Sequence, residues 1–296
     1  MDAGLSCHWT VLEGDAWQLA AAKPSDWPLA RAVVTSPPYW QQRIYMAPNQ
    51  ELGHEITPDA FAARLARLFV ALAPWLESDA VIWLNLGDTY RDSALQMVPA
   101  RAVLALESLG WHLRSEVIFE RENFTPRPSP KRPQRSHEHV FLLSRTSDYY
   151  YDDTYMREPA KYAGYHYVRE GVRNDDGRLR MDGATTVAET RILRSVWRGP
   201  TGWNDTVDHP ALMPRLMAER CVLSVTKPGD IVLDPFSGSG TTGVIALEHG
   251  RSYVGFEQKP EYVMGSRARL SRALPLLSSE LPADELPALD DSPKLF

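Results

Sequence analysis

The stretch Asp230 to Gly243, DIVLDPFSGSGTTG, constrains this chain more than any other. An apolar run ends in an acid, a glycine-rich turn follows, and a helix-forming segment begins. Glycines let a backbone turn tightly and approach a ligand closely, and a helix start presents unpaired N–H groups. In a doubly wound α/β sheet such a turn sits at the carboxyl end of a strand, where ligands bind. A plain structural turn is the bland alternative. A phosphate-binding P-loop needs Lys and Ser/Thr after its last glycine, whereas Val244 and Ile245 follow Gly243. Glu257 closes the next apolar run, 23 residues after Asp234. An acid there is placed to accept hydrogen bonds from a ribose. The pair points to an adenosine-containing cofactor held without a demand for phosphate.

Strand and helix signals alternate through the 296 residues, which predicts an α/β fold with a doubly wound, mostly parallel sheet. Strands are expected at 32–34, 80–86, 113–119, 140–144, 231–233 and 253–256. Thr57-Pro58 marks a helix start, with Thr as N-cap and Pro at the first position. Phe61, Leu65, Leu68, Phe69 and Leu72 follow at helical spacing. Further helices are expected over 98–109, 212–225 and 241–248. Two regions break the alternation. Asn123 to Arg135 carries four prolines and four basic residues and reads as an extended loop. Tyr149 to Glu189, rich in Tyr, Arg, Asp and Gly, has no sustained periodicity and reads as an insertion. From Pro275 onward five acidic residues, four prolines and one lysine predict a poorly ordered tail.

Composition excludes several classes. At 44% hydrophobic and 24% charged residues the chain reads as soluble and globular. No apolar stretch approaches the roughly 20 residues that span a bilayer, and MDAGLSCHWTVLEGD lacks a secretory signal pattern. Cys7 and Cys221 have no metal-ligand spacing, so a reduced cytoplasm fits and a zinc site or disulfide framework does not. Net charge is −6, but residues 121–198 hold 15 Lys+Arg against 11 Asp+Glu, while the rest hold 17 against 27. A locally basic segment on an acidic body is either a nucleic-acid footprint or a solvated surface.

TSPPYW, Thr35 to Trp40, follows the apolar run at 32–34. Pro37 and Pro38 donate no N–H and fix φ, and residues preceding proline are pushed toward extended conformations. The result is a stiff, projecting loop of acceptors: the Ser36 hydroxyl and the Ser36 and Pro37 carbonyls. Tyr39 and Trp40 add flat apolar faces. Such a loop suits a planar ligand carrying an NH₂ group, of which a nucleobase is one. The alternative is a proline-stiffened turn covering a sheet end.

TSPPYW at 35–40 with DPFSGSGTT at 234–242 resembles the amino-group DNA methyltransferases that use S-adenosylmethionine. The catalytic motif precedes the cofactor motif, as in the β-group permutation. WLNLGDTY, RSHEHVFLLSR, HPALMP and VGFEQKPEY also look like family segments, so the resemblance covers most of the chain. It implies a Rossmann-like methyltransferase fold. Residues 1–145 would form its catalytic half, 146–193 a target-recognition insertion, 194–274 the cofactor-binding half and 275–296 a tail. Ser36, Pro37, Pro38 and Tyr39 would hold the target base. Asp234, Phe236, Ser237, Gly238 and Gly240 would shape the methionine end of the cofactor pocket, with Thr241 and Thr242 beside it and Glu257 on the ribose. His209 and Pro210 would help cover the cofactor, although His209 suits a helix cap nearly as well.

The resemblance also implies a mechanism. The amine would donate to Ser36 Oγ and the Pro37 carbonyl and be aligned for in-line attack. Tyr39 would stack on the base, and the proton would pass to water after transfer. A base within duplex DNA must be flipped out to reach the loop. Arg127, Lys131, Arg132 and Arg135 would then contact phosphates, and Arg169, Arg173, Arg178 and Arg180 would read bases, each against a plain surface role. In the family S-P-P-Y usually accompanies cytosine N4 and D-P-P-Y or N-P-P-Y adenine N6, so Ser36 points to cytosine. The expected setting is prokaryotic, cytoplasmic and nucleoid-associated, with modification in a restriction-modification system as the role. A homodimer and a separate cognate endonuclease stay open. Adenine methylation, an RNA or small-molecule acceptor, and a catalytically silent DNA- and cofactor-binding protein are the competing readings.

Overall fold

Among the described residues nine strands assemble into one sheet, and its centre brings the two motifs together. The computed structural model describes residues 7–42, 52–123, 131–168, 184–200, 212–273 and 278–280. The strands are β1 (Cys7–Glu13), β2 (Ala30–Thr35), β3 (Leu76–Leu86), β4 (His112–Arg121), β5 (His137–Ser144), β6 (Val196–Gly199), β7 (Ile231–Asp234), β8 (Ser252–Glu257) and β9 (Ser278–Glu280). Their spatial order is β6-β4-β5-β3-β2-β7-β8-β1-β9. Every neighbouring pair is parallel except the two made by β5, which runs antiparallel to β3 and β4. The helices are α1 (Ala16–Ala21), α2 (Pro58–Ala71), α3 (Val98–Glu107), α4 (Arg215–Val225), α5 (Thr241–Glu248) and α6 (Pro260–Ala273).

Side chains alternate across a strand, and β2 shows the consequence. Val33 packs into a core with α1, α2 and α3, while Ala32 and Val34 pack into a second core with α4, α5 and α6. Helices therefore cover both faces, as a parallel sheet requires. The cap expected for α2 is present: Thr57 Oγ1 accepts from the Ala60 N–H at 3.1 Å, with Pro58 at the first position. The helix expected from Leu212 starts instead at Arg215. Met213 precedes Pro214 and is disfavoured in helical conformation, and the Pro214 carbonyl accepts from Ala218 N as the helix begins.

The region 146–193 is more regular than its composition suggested. A 3₁₀ turn at Asp153–Met156 leads into two short antiparallel ribbons, Arg157–Pro159 with Thr190–Ile192 and His166–Val168 with Ala184–Thr186. Strands of three residues are too short to show a period in sequence. In the stretch expected to be a poorly ordered tail, Ser278–Glu280 pairs in parallel with β1. Among the described residues no helix is long and apolar enough to cross a membrane.

Candidate active site

Strands β2 and β7 are hydrogen-bonded neighbours, with Val33 opposite Leu233. The loops leaving their carboxyl ends, Ser36–Trp40 and Pro235–Gly240, therefore lie side by side. One bond ties them: Thr35 Oγ1 donates to Asp234 Oδ1 at 2.6 Å, deep in the protein. The same oxygen accepts from Phe236 N at 3.0 Å, and Thr242 donates to the carboxylate from the first turn of α5. These donors favour the ionised form, but burial outweighs them and pushes the Asp234 carboxyl up to about 6.

Strand β8 flanks β7 and delivers Glu257 beside the glycine turn. Its carboxylate accepts from Gly238 N at 2.8 Å and Lys259 N at 2.9 Å. Burial raises its pKa against these backbone donors. Ser237 N donates to the Phe256 carbonyl at 2.9 Å, and Tyr253 OH to Ser237 Oγ at 2.9 Å. Gly240, at φ +76°, caps α5 in a conformation that side chains resist. From α6 the buried Arg269 holds the turn from below, donating to the Ser239 carbonyl at 3.1 Å and Thr241 Oγ1 at 3.0 Å. Asp234, Ser237, Thr241 and Thr242 are all buried. The pocket thus offers an acceptor-only carboxylate and close backbone, and its cation Arg269 is spent on the turn. That donor set fits a nucleoside better than a pyrophosphate.

The loop after β2 differs in part from the expectation. Pro37 is buried, and Ser36, Pro38 and Tyr39 are half-buried. Trp40 presents no open face: it is fully buried in the core, its indole N–H donating to the Glu55 carbonyl at 2.8 Å. It anchors the loop because an indole of that size gains most by burial. Among the described residues nothing donates to the Ser36 or Pro37 carbonyl.

Tyr39 enters a network that the sequence did not announce. Its hydroxyl donates to Glu138 Oε2 on β5 at 3.0 Å and accepts from Asn85 Nδ2 on β3 at 2.9 Å. Asn85 Nδ2 also reaches Glu138 Oε2 at 2.9 Å, and Ser36 Oγ lies 3.3 Å from the Tyr39 hydroxyl. The ring packs against Gly87, where an added Cβ would come within 2.5 Å of Tyr39 Cε2. Burial first, and the Glu138 charge second, push the Tyr39 hydroxyl well above its ordinary 10. Arg121 pairs with Glu138 Oε1 at 3.6 Å. Asn85 was legible only as a polar residue inside the apolar run AVIWLNL; Glu138 gave no signal, because an acid in an alternating strand reads as solvated.

Of the basic candidates, Lys131 and Arg132 are exposed, and Arg132 stacks 3.4 Å from the Tyr90 ring centroid. Arg135 is partly buried beside Arg121, Glu138 and Asp88, and burial lowers its pKa. Its Nη1 and the Arg121 Nε are buried without a hydrogen-bond partner. Arg127, Arg169, Arg173, Arg178, Arg180, His209 and Pro210 lie outside the described residues. Among the described residues no group of His, Cys, Asp and Glu could hold a metal ion.

Comparison with known proteins agrees with this geometry. The profile of an N6/N4 family described as DNA methylase matches residues 30–267. The chain is 33% identical over 290 residues to the Type II methyltransferase M.XycI of Xanthomonas campestris pv. cyanopsidis, covering 88% of this chain and 87% of that protein. It is 33% identical over 283 residues to the Type II methyltransferase M.Cfr9I of Citrobacter freundii, covering 86% and 85%. Among solved structures, the PvuII DNA methyltransferase (cytosine-N4-specific) superposes with a TM-score of 0.63 at 21% identity, covering 90% of this chain and 89% of that one. The M1.HpyAVI–SAM complex superposes with a TM-score of 0.56 at 18% identity, covering 88% and 100%. At these identities the two structures establish the fold.

Proposed function

Because the chain belongs to the N6/N4 DNA methylase family, we propose that it methylates the exocyclic N4 amine of a cytosine flipped out of duplex DNA, as the modification enzyme of a restriction-modification system. That it is an S-adenosylmethionine-dependent DNA methyltransferase follows from its family and relatives. The observation that carries the finer reading is the adjacency of two loops on β2 and β7: one of acceptors led by Ser36, one of close backbone with Glu257 alongside.

When bound, S-adenosylmethionine supplies a methyl group already activated on a sulfonium. Glu257 would hold the ribose hydroxyls, since its backbone donors leave further lone pairs on both oxygens. Asp234, Phe236, Ser237, Gly238, Gly240, Thr241 and Thr242 would form the rest of the wall. An aromatic amine is a weak nucleophile, its lone pair being delocalised into the ring. Donating to Ser36 Oγ and the Pro37 carbonyl draws the nitrogen toward tetrahedral geometry and aligns it, so the gain is one of positioning. Pro37 and Pro38 keep those acceptors from collapsing into a turn of their own. The Tyr39 ring, held by Gly87 on one side, would offer its π system to the base and to the cationic amine as it forms.

Cytosine is supported by Ser36 at the head of the loop, and the modification role by the Type II names of M.XycI and M.Cfr9I. A separate cognate endonuclease would be the partner that this role requires. The ribboned insertion 146–193 and the basic residues before β5 are the elements proposed to hold the duplex while the base is out of the stack. Nucleoside mass spectrometry of mixed-sequence duplex DNA incubated with the protein and S-adenosylmethionine tests the reading. N4-methylcytosine is expected. N6-methyladenine would overturn the base assignment, and no methylated nucleoside would overturn the substrate.

A further inference from the structure

We propose that Ser36, Tyr39 and Glu138 form a proton relay that carries the proton lost by the methylated amine to the Glu138 carboxylate. The inference rests on the reading above that an exocyclic amine binds at Ser36. It replaces direct loss of that proton to water. Glu138 meets Tyr39 and Asn85 through Oε2, so its role is that of a positioning and proton-receiving residue acting through Tyr39.

The direction of each bond in the chain follows from what each group can do. An ionised carboxylate only accepts, so the Tyr39 hydroxyl must donate its hydrogen to Glu138 Oε2 across 3.0 Å. The Tyr39 oxygen is then left to accept, and it lies 3.3 Å from Ser36 Oγ, which must donate. With its own hydrogen committed toward Tyr39, Ser36 Oγ keeps a lone pair for the amine. All hydrogens in the chain point away from the site of methyl transfer and toward the carboxylate, the polarity a relay needs. Asn85 fixes the far end by donating to both the Tyr39 hydroxyl and Glu138 Oε2 at 2.9 Å. Its own Oδ1 is left buried without a partner, so the amide is oriented by the Tyr39–Glu138 pair and not by its own full satisfaction. Tyr39 is protected from ionising by its burial and by the Glu138 charge, so it passes a proton without retaining a charge.

Among the described residues the charged and titratable groups around the pair are few. Arg121 on β4 faces Glu138 Oε1 at 3.6 Å, and Arg135, Asp88 and His137 complete the cluster. The step balances. The amine nitrogen bonds the methyl carbon as the S–CH₃ bond breaks and its electron pair stays on sulfur. As positive charge develops on it, the nitrogen gives a proton to Ser36 Oγ, Ser36 gives its own to Tyr39, and Tyr39 gives its own to Glu138. Both hydroxyls are restored, the methylated amine is neutral, and the carboxylic acid returns its proton to solvent before the next turnover. A lone serine hydroxyl is too weak a base to hold that proton; the carboxylate gives it somewhere to go.

Single-turnover methyl transfer on duplex DNA by the full chain, at saturating S-adenosylmethionine, tests the relay in wild type, Glu138→Gln, Tyr39→Phe and the double variant. Gln keeps an oxygen for Tyr39 and Asn85 but takes no proton. The rate is expected to fall on the order of 100-fold in Glu138→Gln, with DNA and cofactor affinities unchanged. Tyr39→Phe should lose as much, and the double variant no more than either. The transfer step should slow in deuterium oxide in wild type, and Glu138→Gln should lack that solvent isotope effect. An undiminished rate in Glu138→Gln overturns the relay, as does a solvent isotope effect that persists unchanged in that variant, which would mark a structural role only. If wild type methylates DNA while Glu138→Gln is undiminished, the relay alone fails; if wild type methylates nothing, the reading beneath it fails too.

Discussion

Burial leaves the Asp234 carboxyl with hydrogen bonds from Thr35, Phe236 and Thr242 but without water, and holds it at about 6 instead of its ordinary 3.8. A carboxyl raised on folding binds its proton more tightly in the folded chain than in the unfolded one. The ionised form therefore costs stability at neutral pH, and the cost is recovered as pH falls through about 6 toward 3.8. The gap corresponds to roughly 3 kcal/mol as an upper estimate. Asp234→Asn can keep the geometry: its oxygen accepts from Thr35 and Phe236, its amide donates to Thr242, and the Thr242 hydroxyl turns to the Val34 carbonyl at 3.4 Å. Thermal unfolding should show Asp234→Asn more stable than wild type at neutral pH, with the difference closing below about 6. Calorimetric titration should show the opposite sign for S-adenosylmethionine, a cation whose neighbouring carboxylate has been neutralised. Equal melting temperatures at all pH values would refute the argument. Asp234, Glu257 and Ser36 were legible in the sequence because each ends an apolar run and differs in chemistry from it. Asn85, Glu138 and Arg121 were not: each sits within a strand, and their meaning arises only when β3, β4 and β5 are set side by side.

Elements with strong local signals matched their expected spans. α5 covers Thr241–Glu248, between a left-handed Gly240 and Gly250, and α2 carries its Thr57 cap and Pro58. α1, β1, β6 and α6 were not expected: α1 and β6 are short, β1 mixes Cys, His and Thr into its apolar residues, and α6 alternates small, polar and basic residues without a wide apolar stripe. The insertion is the element whose form was least legible and whose separability is clearest. Its first ribbon closes with Ala160 N donating to the Glu189 carbonyl at 2.8 Å, so the chain leaves and returns at one point. Beyond that point, Lys161, Tyr162, Gly164 and Tyr165 are exposed, and none of the residues 161–166 belongs to either core cluster. Replacing residues 161–188 with a short turn should leave the melting temperature and cofactor affinity near wild type. Duplex DNA affinity should fall at least about tenfold if the arm supplies several phosphate contacts. Unfolding of the shortened chain, or unchanged DNA binding, would show that the arm serves the fold and not the duplex.

At the scale of the molecule, a single reversed strand gathers charge at the reacting edge. Because β5 runs against its neighbours, its first residues lie at the same edge as the carboxyl ends of β2, β3 and β4. Arg121 ends β4, Glu138 lies at the start of β5, and Arg135 with the exposed Lys131 and Arg132 precedes that strand. The chain as a whole carries −6, which repels DNA at long range, so attraction needs local basic sets of which this is one. Of its members Arg135 is partly buried, and Arg121 is engaged with Glu138 and the Arg135 carbonyl. Lys131 and Arg132 remain the cations free to meet phosphates, Arg132 braced on Tyr90. Each phosphate neutralised releases condensed counterions and contributes about −0.9 to the slope of log affinity against log salt. Lys131→Ala with Arg132→Ala should therefore make that slope shallower by about two. The loss should be equal on cognate and unrelated duplexes, because phosphate contacts carry no sequence information. Fluorescence anisotropy across a salt series measures both. An unchanged slope would remove these two residues from the DNA interface. A loss confined to the cognate duplex would assign Arg132 to base reading instead, with Tyr90 holding its guanidinium in the plane that such a contact needs.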